Sequence, residues 1–124
     1  MDNTKFSDLI GKTLVRIDCV IDGDEIIFVA DDGRKWRMHH DQDCCERVSV
    51  ESIVGDLDDL IGSPILVAEE VTSSENPPGF TRDFQDFSYT WTFYKLATRK
   101  GYVDIRWYGE SNGYYSERVD FDEV

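Results

Sequence analysis

No stretch of about 18 apolar residues occurs anywhere in this sequence, so no transmembrane helix is expected. The opening stretch from Met1 to Ile10 carries Asp2, Lys5 and Asp8 where a signal peptide needs a basic start and an apolar run, which disfavours export. Cysteine is scarce. Cys19, Cys44 and Cys45 are odd in number and two are adjacent, a poor fit to the disulfide framework of a secreted miniprotein, so a reducing cytoplasm is the expected compartment, with thiols free or bound to metal. Basic residues are also few: 13 Lys and Arg face 26 Asp and Glu, a formal net charge of −13. Direct binding to DNA or RNA is therefore disfavoured, because affinity for phosphates comes from Lys and Arg. Helix signals are sparse, limited to one short segment from Phe6 to Ile10 ahead of Gly11 and another from Asp56 to Ile61 ahead of Gly62.

What is present is the material of a β protein. The 124 residues suit a single domain spanning 1–124, and 40% hydrophobic residues, with 3 Trp, 6 Tyr and 7 Phe, suffice for a core. Asp22-Gly23, Asp32-Gly33, Lys100-Gly101 and Asn112-Gly113 each stand between runs rich in β-branched and aromatic residues, the pattern of hairpins. Strands are expected at 13–21, 25–31, 34–40, 47–53, 64–72, 88–98, 102–109 and 114–122. Val15, Ile17, Cys19 and Ile21 alternate with Arg16 and Asp18, which predicts one buried face, and the last three strands are expected to form an antiparallel meander at the centre of the core. The segment 73–87, with Ser73-Ser74, Pro77-Pro78 and Gly79, reads as an exposed loop whose Phe80, Phe84 and Phe87 either dock on the sheet or present a partner-binding surface. The expected fold is mainly β (α+β): an antiparallel sheet or sandwich built from hairpins, with one or two short helices.

Two motifs bear on chemistry. Gly109-Glu110-Ser111-Asn112-Gly113 has the spacing of a nucleophile elbow, yet a strand pattern follows where a helix is required and both histidines lie far upstream. It reads as a hairpin turn, and no enzyme activity is expected. The segment His39-His40-Asp41-Gln42-Asp43-Cys44-Cys45-Glu46 gathers imidazole, thiol and carboxylate donors, a set that favours Zn²⁺ over Ca²⁺ or Mg²⁺. Candidate ligands are His39, His40, Asp41, Asp43, Cys44 and Cys45, with Cys19 as a donor from another strand. Neighbouring strand residues point to opposite faces, so convergence on one ion needs a turn at Asp41 to Asp43. The alternative is a strand end with surface histidines and packed thiols.

Charge is concentrated as well as large. From Asp41 to Leu60 seven acidic residues stand against one basic residue, Arg47, and Glu69 and Glu70 extend the bias. Asp56, Asp58, Asp59, Glu69 and Glu70 are the candidate partner-binding residues. Such a surface either keeps the protein soluble or mimics nucleic-acid phosphates and docks on a basic groove of another protein.

Three sets of residues carry a resemblance: His40-Asp41-Gln42-Asp43-Cys44-Cys45-Glu46; Gly55 through Ile65, with Ala68-Glu69-Glu70; and Tyr89 through Thr98, continuing into Ile105 to Gly109 and Ser111 to Glu117. On these the chain resembles an uncharacterised family of small acidic proteins of phages, prophages and bacteria, over about residues 8–122. The resemblance implies a bacterial cytoplasm and, by analogy, an anti-defence factor of the anti-CRISPR type: a non-enzymatic inhibitor of a host nucleic-acid-binding protein such as a CRISPR-Cas effector. The donor cluster adds the expectation that a structural Zn²⁺ braces the surface that binds. A small metal-binding domain with a regulatory or enzymatic role is the alternative.

Overall fold

The computed structural model describes residues 4–19, 21–42, 45–73, 88–111 and 116–124. Through these run β1 (Leu14–Asp18), β2 (Glu25–Ala30), β3 (Lys35–His39), β4 (Arg47–Val54), β5 (Val67–Ser73), β6 (Ser88–Thr98), β7 (Gly101–Ser111) and β8 (Asp120–Glu123). They make two four-stranded antiparallel sheets of one domain, ordered β1-β2-β3-β8 and β4-β7-β6-β5.

Turn chemistry sets the hairpins. Gly33 takes φ 87° and its N–H closes on the Ala30 carbonyl at 3.1 Å, while the Asp32 carboxylate accepts from the Arg34 N–H at 3.0 Å. The turn after β1 reaches the other sheet: the Asp22 N–H donates to the Val50 carbonyl and the Val50 N–H to the Gly23 carbonyl, at 2.7 and 2.8 Å. Inward residues of both sheets meet in one core, with Ile26, Phe28, Trp36 and Met38 facing Val50, Leu96, Ile105 and Trp107. The Trp107 indole N–H donates to the Met38 sulfur at 3.2 Å, joining the sheets by a polar contact inside an apolar layer. Phe6 closes one side of the core, its ring 4.8 Å from Tyr94 and 5.4 Å from Phe121. Burying such a ring contributes on the order of 1.5–3 kcal/mol.

The structure corrects three local expectations. Both short helices are single 3-10 turns, Phe6–Leu9 and Leu57–Leu60, and the described residues contain no α-helix; four residues are too few to nucleate one. In β1 a bulge between Leu14 and Arg16 shifts the register, so Leu14 is buried and Val15 turns outward to 52% exposure. The C-terminal meander has two strands rather than three. β8 crosses to pair with β3, and the free side of β7 is taken by β4. On β6, Tyr94 and Leu96 point into the core, while Trp91, level with Tyr108 on the outer face, is also fully buried. Tyr108 and Phe93 lie 4.7 and 6.4 Å from its ring, and the Arg106 guanidinium lies 5.5 Å over it. The expected loop beyond Ser73, with Phe80, Phe84 and Phe87, and the Asn112-Gly113 turn lie outside the described residues.

Candidate functional site

The end of β3 separates the two histidines. Met38 faces the core, so His39 lies on the outer face of its sheet, level with Glu25 on one side and Asp120 on the other. His40 is past the strand end and turns inward. Its Nε2 meets Glu46 Oε2 at 2.8 Å and its Nδ1 meets the Arg118 carbonyl at 2.6 Å, with side-chain exposures of 3% for His40 and 0% for Glu46. A carbonyl only accepts, so Nδ1 carries a hydrogen and donates it. Gln42 adds donors from the same loop, to the Glu46 carbonyl at 2.6 Å and to Glu46 Oε1 at 3.2 Å. Both carboxyl oxygens are thereby engaged. This buried group ties the connection between the sheets to the segment leading into β8.

His39 has a different neighbourhood. Its Nε2 lies 3.1 Å from Asp41 Oδ1 and 3.9 Å from Asp122 Oδ2. A ring nitrogen and one oxygen each from Asp41 and Asp120 lie within 4.8 Å of one another. Asp120 also receives the Arg118 Nε at 2.9 Å. His39 Nδ1 is buried with no hydrogen-bond partner among the described residues. Of the other donors named from sequence, Asp43 and Cys44 lie outside the described residues. Cys45 is disulfide-bonded and offers no free thiolate. Cys19 is free and packs half-buried against the core, where burial pushes its thiol up to about 11, away from the thiolate a metal needs. His39 and Asp41 are thus brought together; His40 is committed elsewhere. Asp120 has no sequence signal of its own, because its place beside His39 follows from the pairing of β3 with β8.

Asp56, Asp58 and Asp59 sit at one end of the β4-β7-β6-β5 sheet, by the β6–β7 hairpin, while Glu69 and Glu70 lie at mid-strand on β5, opposite Lys95 and Tyr94. Asp56 caps the second 3-10 turn, accepting from the Asp58 N–H at 3.0 Å. That turn rests on the β6–β7 hairpin: the Thr98 hydroxyl donates to the Asp59 carbonyl, and Lys100 Nζ to the Ile61 carbonyl at 2.7 Å. Glu69 and Glu70 are exposed on β5, the edge strand beside β6. Lys12, Arg16, Arg34, Arg37, Arg106 and Arg118 are paired with other carboxylates. Among the described residues no ion pair joins a basic side chain to Asp56, Asp58, Asp59, Glu69 or Glu70. The local field is visible at Tyr102, whose phenol is pushed up by burial and then by the Asp104 and Glu69 carboxylates.

A cleft of about 830 Å³ opens where β5 and β6 face the segment before β8. Its described lining includes Thr72, Thr90, Thr92, Glu70, Glu117 and Lys5, with no histidine or cysteine. Glu117 is held there by the Thr90 and Ser111 hydroxyls, at 2.8 and 2.6 Å. Ser111, at the end of β7, therefore donates to a carboxylate. Over residues 7–121 the sequence matches DUF7448, a domain of unknown function. The chain belongs to the DUF7448 family. No curated protein and no solved structure matches it. The DUF7448 region reaches from the first 3-10 turn into β8 and contains both the histidine clusters and the acidic end. No helix among its described residues is long and apolar enough to cross a membrane.

Proposed function

We propose that this DUF7448 domain is a non-enzymatic binding protein that occupies a basic nucleic-acid-binding groove on a host defence protein. The first candidate is a CRISPR-Cas effector, on the resemblance to small acidic phage proteins. One observation carries the reading: the described basic residues that form ion pairs are spent on other carboxylates, while Asp56, Asp58, Asp59, Glu69 and Glu70 carry no ion-pair partner among the described residues. Arg99 and Lys100 stand beside this end, but Arg99 Nε bonds the Ser63 hydroxyl at 3.3 Å and Lys100 bonds a carbonyl. Carboxylates fixed on a capped turn and an edge strand present negative charge at little conformational cost, which suits steering toward a cationic groove.

The test is capture from a bacterial lysate at low and high salt, identification of the bound protein, and competition with duplex DNA for it. Replacing Asp56, Asp58 and Asp59 together by Asn should slow association and flatten its salt dependence. Association kinetics equal to those of the parent protein would remove this end from the interface.

A further inference from the structure

We infer that His39, Asp41 and Asp120 form a binding site for a divalent cation of the zinc class, with Asp122 as an additional carboxylate at its rim. The site is independent of the acidic end and of any partner bound there.

Three features point to it. The donors come from separate backbone positions that the fold forces together: His39 ends β3, Asp41 follows two residues on, and Asp120 is the cross-strand neighbour of His39 on β8. The depth is graded. The His39 side chain is 6% exposed and forms the floor, whereas Asp41 at 80% and Asp122 at 46% stand at the mouth. An ion can therefore enter from solvent past exposed carboxylates and meet a nitrogen fixed by the sheet. The third feature is the ring itself: His39 Nδ1 is buried and unpartnered among the described residues, while Nε2 faces carboxylate oxygens. A cation on Nε2 takes that nitrogen's lone pair and fixes the ring hydrogen on Nδ1, giving the buried imidazole one defined tautomer.

The donor chemistry selects the metal. One imidazole and two carboxylates match the nitrogen and oxygen preferences of Zn²⁺, with water completing a tetrahedron, and Ca²⁺ would gain nothing from the imidazole. Ligands about 2.0–2.1 Å from one ion stand roughly 3.3 Å apart in a tetrahedron. His39 Nε2 and Asp41 already stand 3.1 Å apart, and the wider separations, up to 4.8 Å, involve Asp120 and close by rotation of its side chain. Arg118 holds Asp120 at 2.9 Å and leaves its second oxygen for the ion. The set differs from the ligands suggested by sequence proximity alone, since His40 is locked to Glu46 and Cys45 is disulfide-bonded.

The test uses the full chain, stripped with EDTA and desalted, titrated with Zn²⁺ by calorimetry while the His39 ring is followed by NMR. Expected are one saturable site, a shift of the His39 ring nitrogens, and affinity lowered at least about tenfold by Asp41→Asn and by Asp120→Asn. Asp56→Asn, at the distant acidic end, should leave affinity unchanged. Co²⁺ in place of Zn²⁺ should show no thiolate charge-transfer band. Asp41→Asn alters an exposed side chain and keeps the test valid if a change at buried His39 unfolds the protein. No saturable binding up to about 100 μM Zn²⁺ would overturn the site. So would affinity indifferent to Asp41→Asn and Asp120→Asn, or a thiolate band placing the ion on cysteine.

Discussion

Removing the imidazole of His40 is the most severe test of the architecture around the histidine pair. His40→Ala leaves Glu46 Oε2 and the Arg118 carbonyl without their partner, in a place where the Glu46 side chain has no exposure. Each orphaned buried polar group costs about 1–3 kcal/mol, and breaking one side of a buried ion pair typically costs about 3–5 kcal/mol. Domains of this kind have about 5–15 kcal/mol in total, so the variant should be folded but markedly weakened. With a urea dependence of about 2 kcal/mol per molar, the midpoint should fall by roughly 1.5–2.5 M, with the slope unchanged. Trp36, Trp91 and Trp107 are fully buried and report the transition by fluorescence. The double variant His40→Leu with Glu46→Leu should cost less than His40→Ala alone, because replacing both charges removes the uncompensated carboxylate. A loss below about 1 kcal/mol in His40→Ala would show that the pair is not the buried, mutually dependent unit described.

Burial holds the Asp104 carboxyl above its ordinary value, with Lys95 and Arg106 opposing, and Oδ1 is buried without a hydrogen-bond partner among the described residues. The resulting destabilisation is absent below the ordinary carboxylate range and sets in as pH rises through it, so Asp104→Asn should raise the melting temperature at pH 7 and have little effect near pH 3. The Cys19 thiol, moved from 9.0 to about 11, should be alkylated about 100-fold more slowly at pH 8 in the folded protein than in denaturant, read by peptide mass spectrometry; the same shift should remove stability as pH rises from 9.0 to about 11. Gly55 has φ 103° and an added Cβ would meet the Tyr102 carbonyl at 2.4 Å, whereas Gly33 at φ 87° has open space. Gly55→Ala should therefore cost more than about 2 kcal/mol and Gly33→Ala about 1 kcal/mol in chemical denaturation.

Hairpins were the legible part of this fold, because their signals are local. Asp32-Gly33 supplies the left-handed residue its turn requires, and the β2 and β7 patterns alternate without interruption. The bulge at Leu14 to Arg16 was not legible, since a one-residue insertion reverses the phase that alternation relies on. Nor was the destination of β8, whose Phe121 suits either sheet until β4 occupies the side of β7. The candidate sites divide the same way. Alternation shows that His39 and His40 cannot share one face of a strand, but the partners of each, Asp120 and Glu46, come from long-range pairing and from the path of residues 40–46.

The route of β8 has a consequence for how the protein is made. Sheet β1-β2-β3-β8 pairs residues 36–39 with residues 120–123, so one edge of the core stays open until residues 120–123 are available. The β6–β7 hairpin can form within its own 24 residues, Ser88 to Ser111, and gives the chain an early local structure. Closure over Phe6, Met38 and Phe28 has to wait for Phe121. During synthesis these side chains remain open to other hydrophobic surfaces until β8 leaves the ribosome, and folding is set by a contact of high sequence separation. A strand of four residues thus governs the timing of the whole domain.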